Sequence, residues 1–133
     1  MSDSSGPDRK NTYHKLSVIN FLELVVAGRI EEAYQKHVDM GGKHHNAYYP
    51  AGFPALQKGM IENHAKFPNK QFHIEHVLAD GDLVATHSRV ALAPDQPVIA
   101  VLHLFRFQDG KVVELWDIGQ PVPADSPNQD GAF

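Results

Sequence analysis

The fold is decided by the stretch Val98–Gln120, which reads VIAVLHLFRFQDGKVVELWDIGQ. Two runs rich in β-branched and aromatic residues, 98–107 and 111–120, flank the dipeptide Asp109-Gly110. Asp-Gly between two such runs is the strongest short-range signal for a β-hairpin. We therefore predict two antiparallel strands joined by a tight turn.

A second hairpin signal precedes the first one in the chain. Asp80-Gly81 separates the predicted strands 71–79 and 82–93, and the proline-containing segment 94–97 forms a loop to the next strand. Two such hairpins in succession predict a four-stranded antiparallel meander. No internal repeat is evident.

The N-terminal half has a helical period instead. Thr12 is a plausible N-cap for a helix from Tyr13 to about Ala27, and further helices are predicted over residues 30–37 and from Pro54 to about Lys66. Residues 1–11 are interpreted as a disordered leader. Three other segments complete the prediction: Gly41-Gly42 breaks the second helix, 43–50 is irregular, and an extended tail begins at 121.

Together these elements predict an α+β domain over residues 12–133, in which three N-terminal helices pack on one face of a curved antiparallel sheet. If the sheet curls around the helices, the mouth of the resulting cone is a natural cavity. A chain of 133 residues fits one domain of this kind.

Composition narrows the class of function. The formal charge of −4, with no cluster of Lys and Arg, argues against nucleic-acid binding. No apolar run has the length of a membrane span, and the polar N-terminus lacks the layout of a signal peptide. The chain has no Cys, which excludes thiolate chemistry and makes a cytoplasmic location the default expectation. The chain contains nine His, an unusually high number, and imidazole is the side chain that titrates near neutral pH.

The register of the second hairpin decides which side chains share a face, because a slip of one residue reverses every side chain. A two-residue turn would pair Gln108 with Lys111 and place Asp117 on the face opposite His103. A three-residue loop, 108–110, would pair Phe107 with Lys111. We prefer this bulged register, which gathers two sets of side chains. One set is Val101, His103, Phe105, Val113, Leu115 and Asp117; the other is Leu102, Leu104, Arg106, Val112, Glu114 and Trp116, in which Arg106 and Glu114 can pair.

In the preferred register, Asp117 and His103 meet among apolar side chains. Such a pair can hold one proton and pass it on, which general acid–base chemistry requires. His87 on the preceding strand is expected to join this face. His45 and Asn46, after the glycine break, are expected to lie at the rim of the pocket and to orient a substrate. Each of these residues also has an ordinary structural interpretation, as a core, capping or loop residue.

Two runs resemble a known family. Val77–Ser88, VLADGDLVATHS, and Leu104–Pro123, LFRFQDGKVVELWDIGQPVP, are similar to stretches of the SnoaL-like proteins. These proteins belong to the superfamily of nuclear transport factor 2, ketosteroid isomerase and the polyketide cyclases. His45-Asn46 also resembles a His-Asn pair that follows the second helix in this family.

The resemblance implies a cone-shaped α+β fold of the cystatin-like or nuclear transport factor 2-like type, and a homodimer formed through the sheet. It also implies a role for Asp117, because the polyketide cyclases use an Asp on the last strand as general acid and base, with a His on the strand before. This chain departs from many SnoaL-like proteins, which carry Asp at the position of His103 and His at the position of Leu115.

We therefore expect a small-molecule enzyme of the cyclase, isomerase or lyase kind that uses no cofactor. Two alternatives remain: a domain of the same fold that binds a ligand without turning it over, and a purely structural dimer. Zinc is a third possibility, since His45, His87, His103 and Asp117 are suitable ligand types, although no local metal motif joins them.

Overall fold

Three helices and five strands make up the protein in the computed structural model, which describes residues 6–133. The helices are α1 (Pro7–Val26), α2 (Ile30–His37) and α3 (Phe53–Lys66), and the strands are β1 (Val38–His45), β2 (Gln71–Asp80), β3 (Leu83–Ala91), β4 (Val98–Gln108) and β5 (Lys111–Pro121). The sheet order is β1-β5-β4-β3-β2, so the predicted meander forms four consecutive strands. The α+β prediction is confirmed.

The sheet has one strand more than the sequence predicts. β1 occupies part of the segment interpreted as a glycine break and an irregular stretch, and it pairs with β5 in parallel at the sheet edge. Gly42 permits this pairing, because a Cβ there would lie 2.3 Å from the Val113 carbonyl oxygen. Having no side chain at this point, Gly42 allows the two backbones to approach closely.

The first helix begins earlier than predicted. α1 starts at Pro7, which suits the first turn of a helix, so residues 7–11 are helical rather than part of a leader. Thr12 lies inside the helix, where its hydroxyl donates to the Asp8 carbonyl oxygen, and it is not the N-cap. The Asn11 side chain accepts the Gly81 N–H at 2.9 Å, which ties the helix to the β2–β3 turn. Residues 1–5 of the predicted leader lie outside the described residues.

The core lies between the helices and the inner face of the sheet. Helix side chains such as Val18, Phe21 and Tyr34 are buried there against Phe105 and Leu115 of the sheet. Burying side chains of this size contributes roughly 1.5–3 kcal/mol each to folding. This packing fixes β4 and β5, the two strands that carry the site.

The C-terminal segment, 122–133, contains neither helix nor strand. Its last ring, Phe133, stacks on His87 with centroids 5.5 Å apart, and the Arg89 guanidinium lies 4.2 Å from the centroid of that ring. The tail therefore returns to the outer face of the sheet. No helix within residues 6–133 is long and apolar enough to cross a membrane.

Candidate active site

The hairpin between β4 and β5 contains the extra residue that the preferred register requires, but at a different place. Asp109 and Gly110 both have positive φ, 53° and 79°, as a two-residue type I′ turn demands, and Gln108 pairs with Lys111. The predicted three-residue loop is therefore wrong. The extra residue is Val113, which forms a bulge on β5.

Beyond this bulge His103 and Asp117 share a face as predicted, but the strand pairing differs by two residues from the predicted register, in which Leu115 would lie opposite His103. Phe107 pairs with Val112, and after the register shift Arg106 pairs with Glu114. His103 then stands directly opposite Asp117. The predicted Arg106–Glu114 ion pair is present at 2.9 Å. Only the valines next to the turn are misassigned, since Val112 is buried beside Phe107.

A cavity of about 360 Å³ lies between α1, α3 and the inner face of the sheet. This volume is within the usual range for small-molecule sites. Its wall is mostly apolar, with contributions from Phe21, Leu22, Val25, Leu56, Ile99 and Leu115. The polar groups on the wall are few: Asn46, Tyr48, Tyr49, Asn63, Lys70, His103 and Asp117. The structure thus brings three of the five predicted site residues, Asn46, His103 and Asp117, to one cavity.

Asp117 is the centre of this group. Its Oδ2 accepts a 2.8 Å hydrogen bond from Asn46 Nδ2. Its Oδ1 lies 3.5 Å from His103 Nε2, and the two side chains are only 16% and 8% exposed. One carboxylate oxygen is therefore fixed by an amide, while the other faces an imidazole at the cavity wall.

The turn after β1 fixes the orientation of Asn46. The Tyr48 N–H donates to Asn46 Oδ1 at 2.9 Å, so the Nδ2 group must face Asp117. The Asn46 N–H donates to His44 Nδ1 at 3.0 Å, so the proton of a neutral His44 is on Nε2, which donates to the Pro50 carbonyl oxygen at 2.8 Å. His44 thus holds the turn that presents Asn46.

His103 is a buried imidazole. Burial lowers the pKa of His103 below its ordinary value, and the nearby negative charge of Asp117 offsets this only in part. The Nδ1 atom is buried and has no protein hydrogen-bond partner. At neutral pH the ring is therefore uncharged beside the carboxylate, and it can exchange a proton with Asp117 or with a ligand.

Tyr34 completes the surroundings of the site. Its hydroxyl donates to Met60 Sδ at 3.1 Å. Burial, followed by the negative charge of Asp117, raises the pKa of Tyr34 well above its usual range. The phenol therefore stays protonated and acts as packing and as a hydrogen-bond donor.

His45 does not reach the pocket, contrary to the sequence prediction. It pairs with Trp116 in the sheet register, stacks on that ring at 5.1 Å, and bonds Glu114 through Nε2 at 2.7 Å on the outer face. The physical reason is alternation. In a strand, neighbouring side chains point to opposite faces, so His44 points inward and His45 outward.

His87 also lies on the outer face, so the prediction that it joins Asp117 is wrong. Thr86, not His87, stands opposite His103. The His87 ring stacks on His76, with their Nδ1 atoms 3.1 Å apart. With His45 and His87 both outside, the suggested zinc ligands do not converge, and residues 6–133 contain no group of three potential metal-binding side chains.

Three polar residues of the site escaped the sequence prediction. His44 lies in the segment 43–50 that the sequence predicts to be irregular, and the signal that identifies it is the alternation of a short edge strand. Lys70 and Asn63 line the cavity from the segment before β2 and from α3. Nothing local in the sequence distinguishes them from surface residues, because their position depends on how α3 packs on the sheet.

Comparison with known proteins agrees with this architecture. A family model described as a SnoaL-like domain matches residues 18–115, most of the chain. The chain belongs to the SnoaL-like family. The match places this SnoaL-like protein in the nuclear transport factor 2 superfamily that its hairpin sequences resemble. No curated protein matches it.

Solved structures share the fold of this SnoaL-like protein at low identity. A proposed polyketide cyclase from Bacillus cereus ATCC 10987 superposes with a TM-score of 0.74 at 20% identity, covering 89% of this chain and 81% of that one. An NTF-2 like protein of unknown function from Burkholderia xenovorans LB400 gives 0.72 at 16%, covering 90% and 91%. An LEH-like epoxide hydrolase from M. tuberculosis gives 0.68 at 16%, covering 83% and 84%.

Proposed function

We propose that this SnoaL-like protein is a small-molecule enzyme in which Asp117 moves a proton at a carbon next to a carbonyl group, in a cyclisation, isomerisation or lyase reaction. One observation carries the proposal. A carboxylate with a single fixed hydrogen bond and a neutral imidazole at its free oxygen borders a mostly apolar cavity. A fixed acceptor of this kind, largely withdrawn from water, is suited to act as a general base.

The proton transfer balances within the site. Asp117 Oδ1 takes the proton from the substrate carbon, and the electron pair of the C–H bond becomes an enolate. The proton then returns to another carbon in an isomerisation, or to the new alkoxide after an intramolecular aldol closure. His103 Nε2 is the group that can hydrogen-bond to Oδ1 or to the substrate oxygen, and Asn46 keeps Oδ2 engaged throughout. These steps need no metal or cofactor.

The experiment is proton–deuterium exchange in D₂O, followed by NMR, on a panel of apolar 1,3-dicarbonyl compounds. Asp117→Asn should reduce the exchange rate by roughly 10²–10⁴. Asp125→Asn, a matched change at an exposed residue of the tail, should leave the rate unchanged. Wild-type exchange that survives in Asp117→Asn would refute the mechanism. A ligand retained through purification without exchange would favour the non-catalytic binding domain instead.

Water activation is the second candidate reaction. The free Oδ1 of Asp117 can take a proton from water as readily as from carbon, and one structural neighbour is named an epoxide hydrolase. Incorporation of ¹⁸O from labelled water into an epoxide or ester substrate would identify this chemistry, whereas the cyclase and isomerase reactions incorporate none.

A homodimer through the sheet belongs to the same proposal. Leu102 and Ile118 are cross-strand partners on the outer face, and they are 42% and 61% exposed. Leu104 and Trp116 are the next cross-strand pair on the same face and extend this apolar surface. A contiguous apolar patch of this kind is typical of an interface. The expected cytoplasmic location likewise remains a prediction, based on composition.

A further inference from the structure

The cavity that holds Asp117 is polar at a second place. Among its wall residues, Asp117 carries the carboxylate and Lys70 the ammonium group. Lys70 lies just before β2, and its Nζ donates to Asn63 Oδ1 on α3. The two charged residues thus line the same mostly apolar cavity, Asp117 from β5 and Lys70 from the segment before β2.

Lys70 has no acidic partner among residues 6–133, where the ion pairs involve other basic residues. Its one described hydrogen-bond partner is the neutral Asn63 amide. Burial lowers the pKa of Lys70. An ammonium group that is partly removed from water without a counter-ion is costly, and an anion would offset that cost.

The sheet register separates Lys70 from His103 and Asp117, the residues at the proposed reacting end of the cavity. Gln71 pairs with Ala91, which pairs with Val98, and Val98 lies five residues before His103 on β4. At about 3.3 Å per residue, five residues span roughly 16 Å of strand. Sheet curvature and the long lysine side chain shorten this gap, and the Phe72 ring lies close to His103, with the two ring centroids 6.4 Å apart. Between them the wall is formed by Phe72, Val90 and Ile99.

We infer that Lys70 and Asn63 form a carboxylate-binding subsite, and that the substrate is an elongated apolar carbonyl compound with a carboxylate at the end remote from Asp117. The inference rests on the proposed function only for the carbonyl group at the Asp117 end of the substrate; the carboxylate subsite is argued independently of it. The Lys70 ammonium and the Asn63 amide nitrogen supply donors to the two carboxylate oxygens. The negative charge of Asp117 sets the orientation, because it repels a carboxylate at the opposite end.

Octanoate and octanamide are the probes, since they share a chain and differ in the charge of one end. Wild-type protein should bind octanoate more tightly than octanamide by isothermal titration calorimetry. Lys70→Met should weaken octanoate binding by about 10- to 100-fold, as expected for the loss of a charge-assisted hydrogen bond, and leave octanamide binding within about twofold. Lys70→Arg should retain the preference. Lys66→Met, at an exposed lysine outside the cavity, is the matched control.

Equal affinity of wild-type protein for the two probes, or unchanged octanoate affinity in Lys70→Met, would overturn the inference. Thermal unfolding of each variant checks that the fold is kept. The inference and the proposed chemistry fail separately, because Asp117→Asn should slow carbon exchange by the factor given above while octanoate still binds. Octanoate selectivity without any exchange would leave the subsite standing and remove the enzyme proposal.

Discussion

Asn46 Nδ2 donates a 2.8 Å hydrogen bond to Asp117 Oδ2 across 71 positions of sequence. The bond joins the turn after edge strand β1 to β5, on which the carboxylate lies. It leaves Oδ1 facing His103 and the cavity. The catalytic competence that we propose for Asp117 therefore depends on a residue that does not need to touch the reacting carbon.

Removing this hydrogen bond should impair both stability and activity. Asn46→Ala leaves a half-buried carboxylate oxygen without its donor, at a cost of about 1–3 kcal/mol in the free energy of unfolding. Asn46→Asp should cost more, because it puts a second negative charge beside Asp117. Urea unfolding and the exchange rate measure the two effects, with exposed Asn69→Ala as the control. Wild-type exchange in Asn46→Ala would show that the bond has no functional part.

The two adjacent histidines of β1 should behave differently when replaced. His44→Ala removes the acceptor for the Asn46 N–H and the donor to Pro50, so the turn loosens and kcat should fall more than KM rises. His45→Ala loses a hydrogen bond to Glu114 on the outer face and should leave kcat within about twofold, because a single hydrogen bond away from the cavity contributes little to the geometry of the site. Equal losses of kcat in both variants would contradict this assignment of inner and outer faces.

Stability should decline in mild acid because of buried imidazoles. The pKa values of His103 and His37 are lowered in the folded protein, in both cases chiefly by burial. Unfolded His titrates near its ordinary value of about 6.5, so below that pH the unfolded chain binds more protons and the free energy of unfolding falls as pH falls. His103→Gln should flatten this decline between about pH 6.5 and pH 5, measured by urea unfolding. If the free energy of unfolding depended on pH equally in wild-type and variant protein, His103 would be excluded as a cause of the decline.

Exchange activity should also fall as the pH is lowered. Protonated His103 would form a charged pair with Asp117 and occupy the free carboxylate oxygen, so exchange activity should fall on the acid side. Because the pKa of His103 is lowered, this fall should begin below the ordinary imidazole value. A pH–rate profile of kcat/KM on the best 1,3-dicarbonyl substrate tests it. An acid limb centred above about 6.5 would be inconsistent with the buried neutral ring.

Gly42 should not tolerate a side chain. A Cβ at Gly42 would lie 2.3 Å from the Val113 carbonyl oxygen and 2.9 Å from Phe53 Cε2, so β1 would have to move away from β5. Gly42→Ala should lower the free energy of unfolding by about 1–3 kcal/mol and reduce activity through Asn46. Its neighbour provides the control, since the nearest atom to a Cβ at Gly41 is 3.4 Å away. Equal stability of the two alanine variants would refute the close approach.

Ile118→Asp should convert the proposed dimer to a monomer. Ile118 is 61% exposed on the outer face of the sheet, beside Leu102. Leu16→Asp is a matched control on α1, where Leu16 is 62% exposed. Sedimentation velocity should give a dimer for wild-type and Leu16→Asp protein and a monomer for Ile118→Asp. A monomeric wild-type protein would refute the interface.

Local sequence predicted the parts of the fold that depend on neighbours in the chain. Asp-Gly turns and strand alternation define the two hairpins, because their contacts lie within about twenty residues of each other. The sequence correctly predicts that His103 and Asp117 lie on the same face of the sheet, but it predicts the bulge at the turn, whereas the bulge is at Val113. An extra residue at Gln108, on the β4 side of the turn, and an extra residue at Val113 on β5 both put His103 and Asp117 on one face, so hydrophobic alternation alone could not distinguish them.

By itself, the sequence determined a meander sheet packed under helices and an acid and an imidazole on one face of it. Only the tertiary structure decided that residues 38–45 form a parallel edge strand, that His44 and not His45 points inward, and that Lys70 reaches the cavity. Such features depend on contacts between segments far apart in the chain. Their free energy comes from partners that no local pattern encodes.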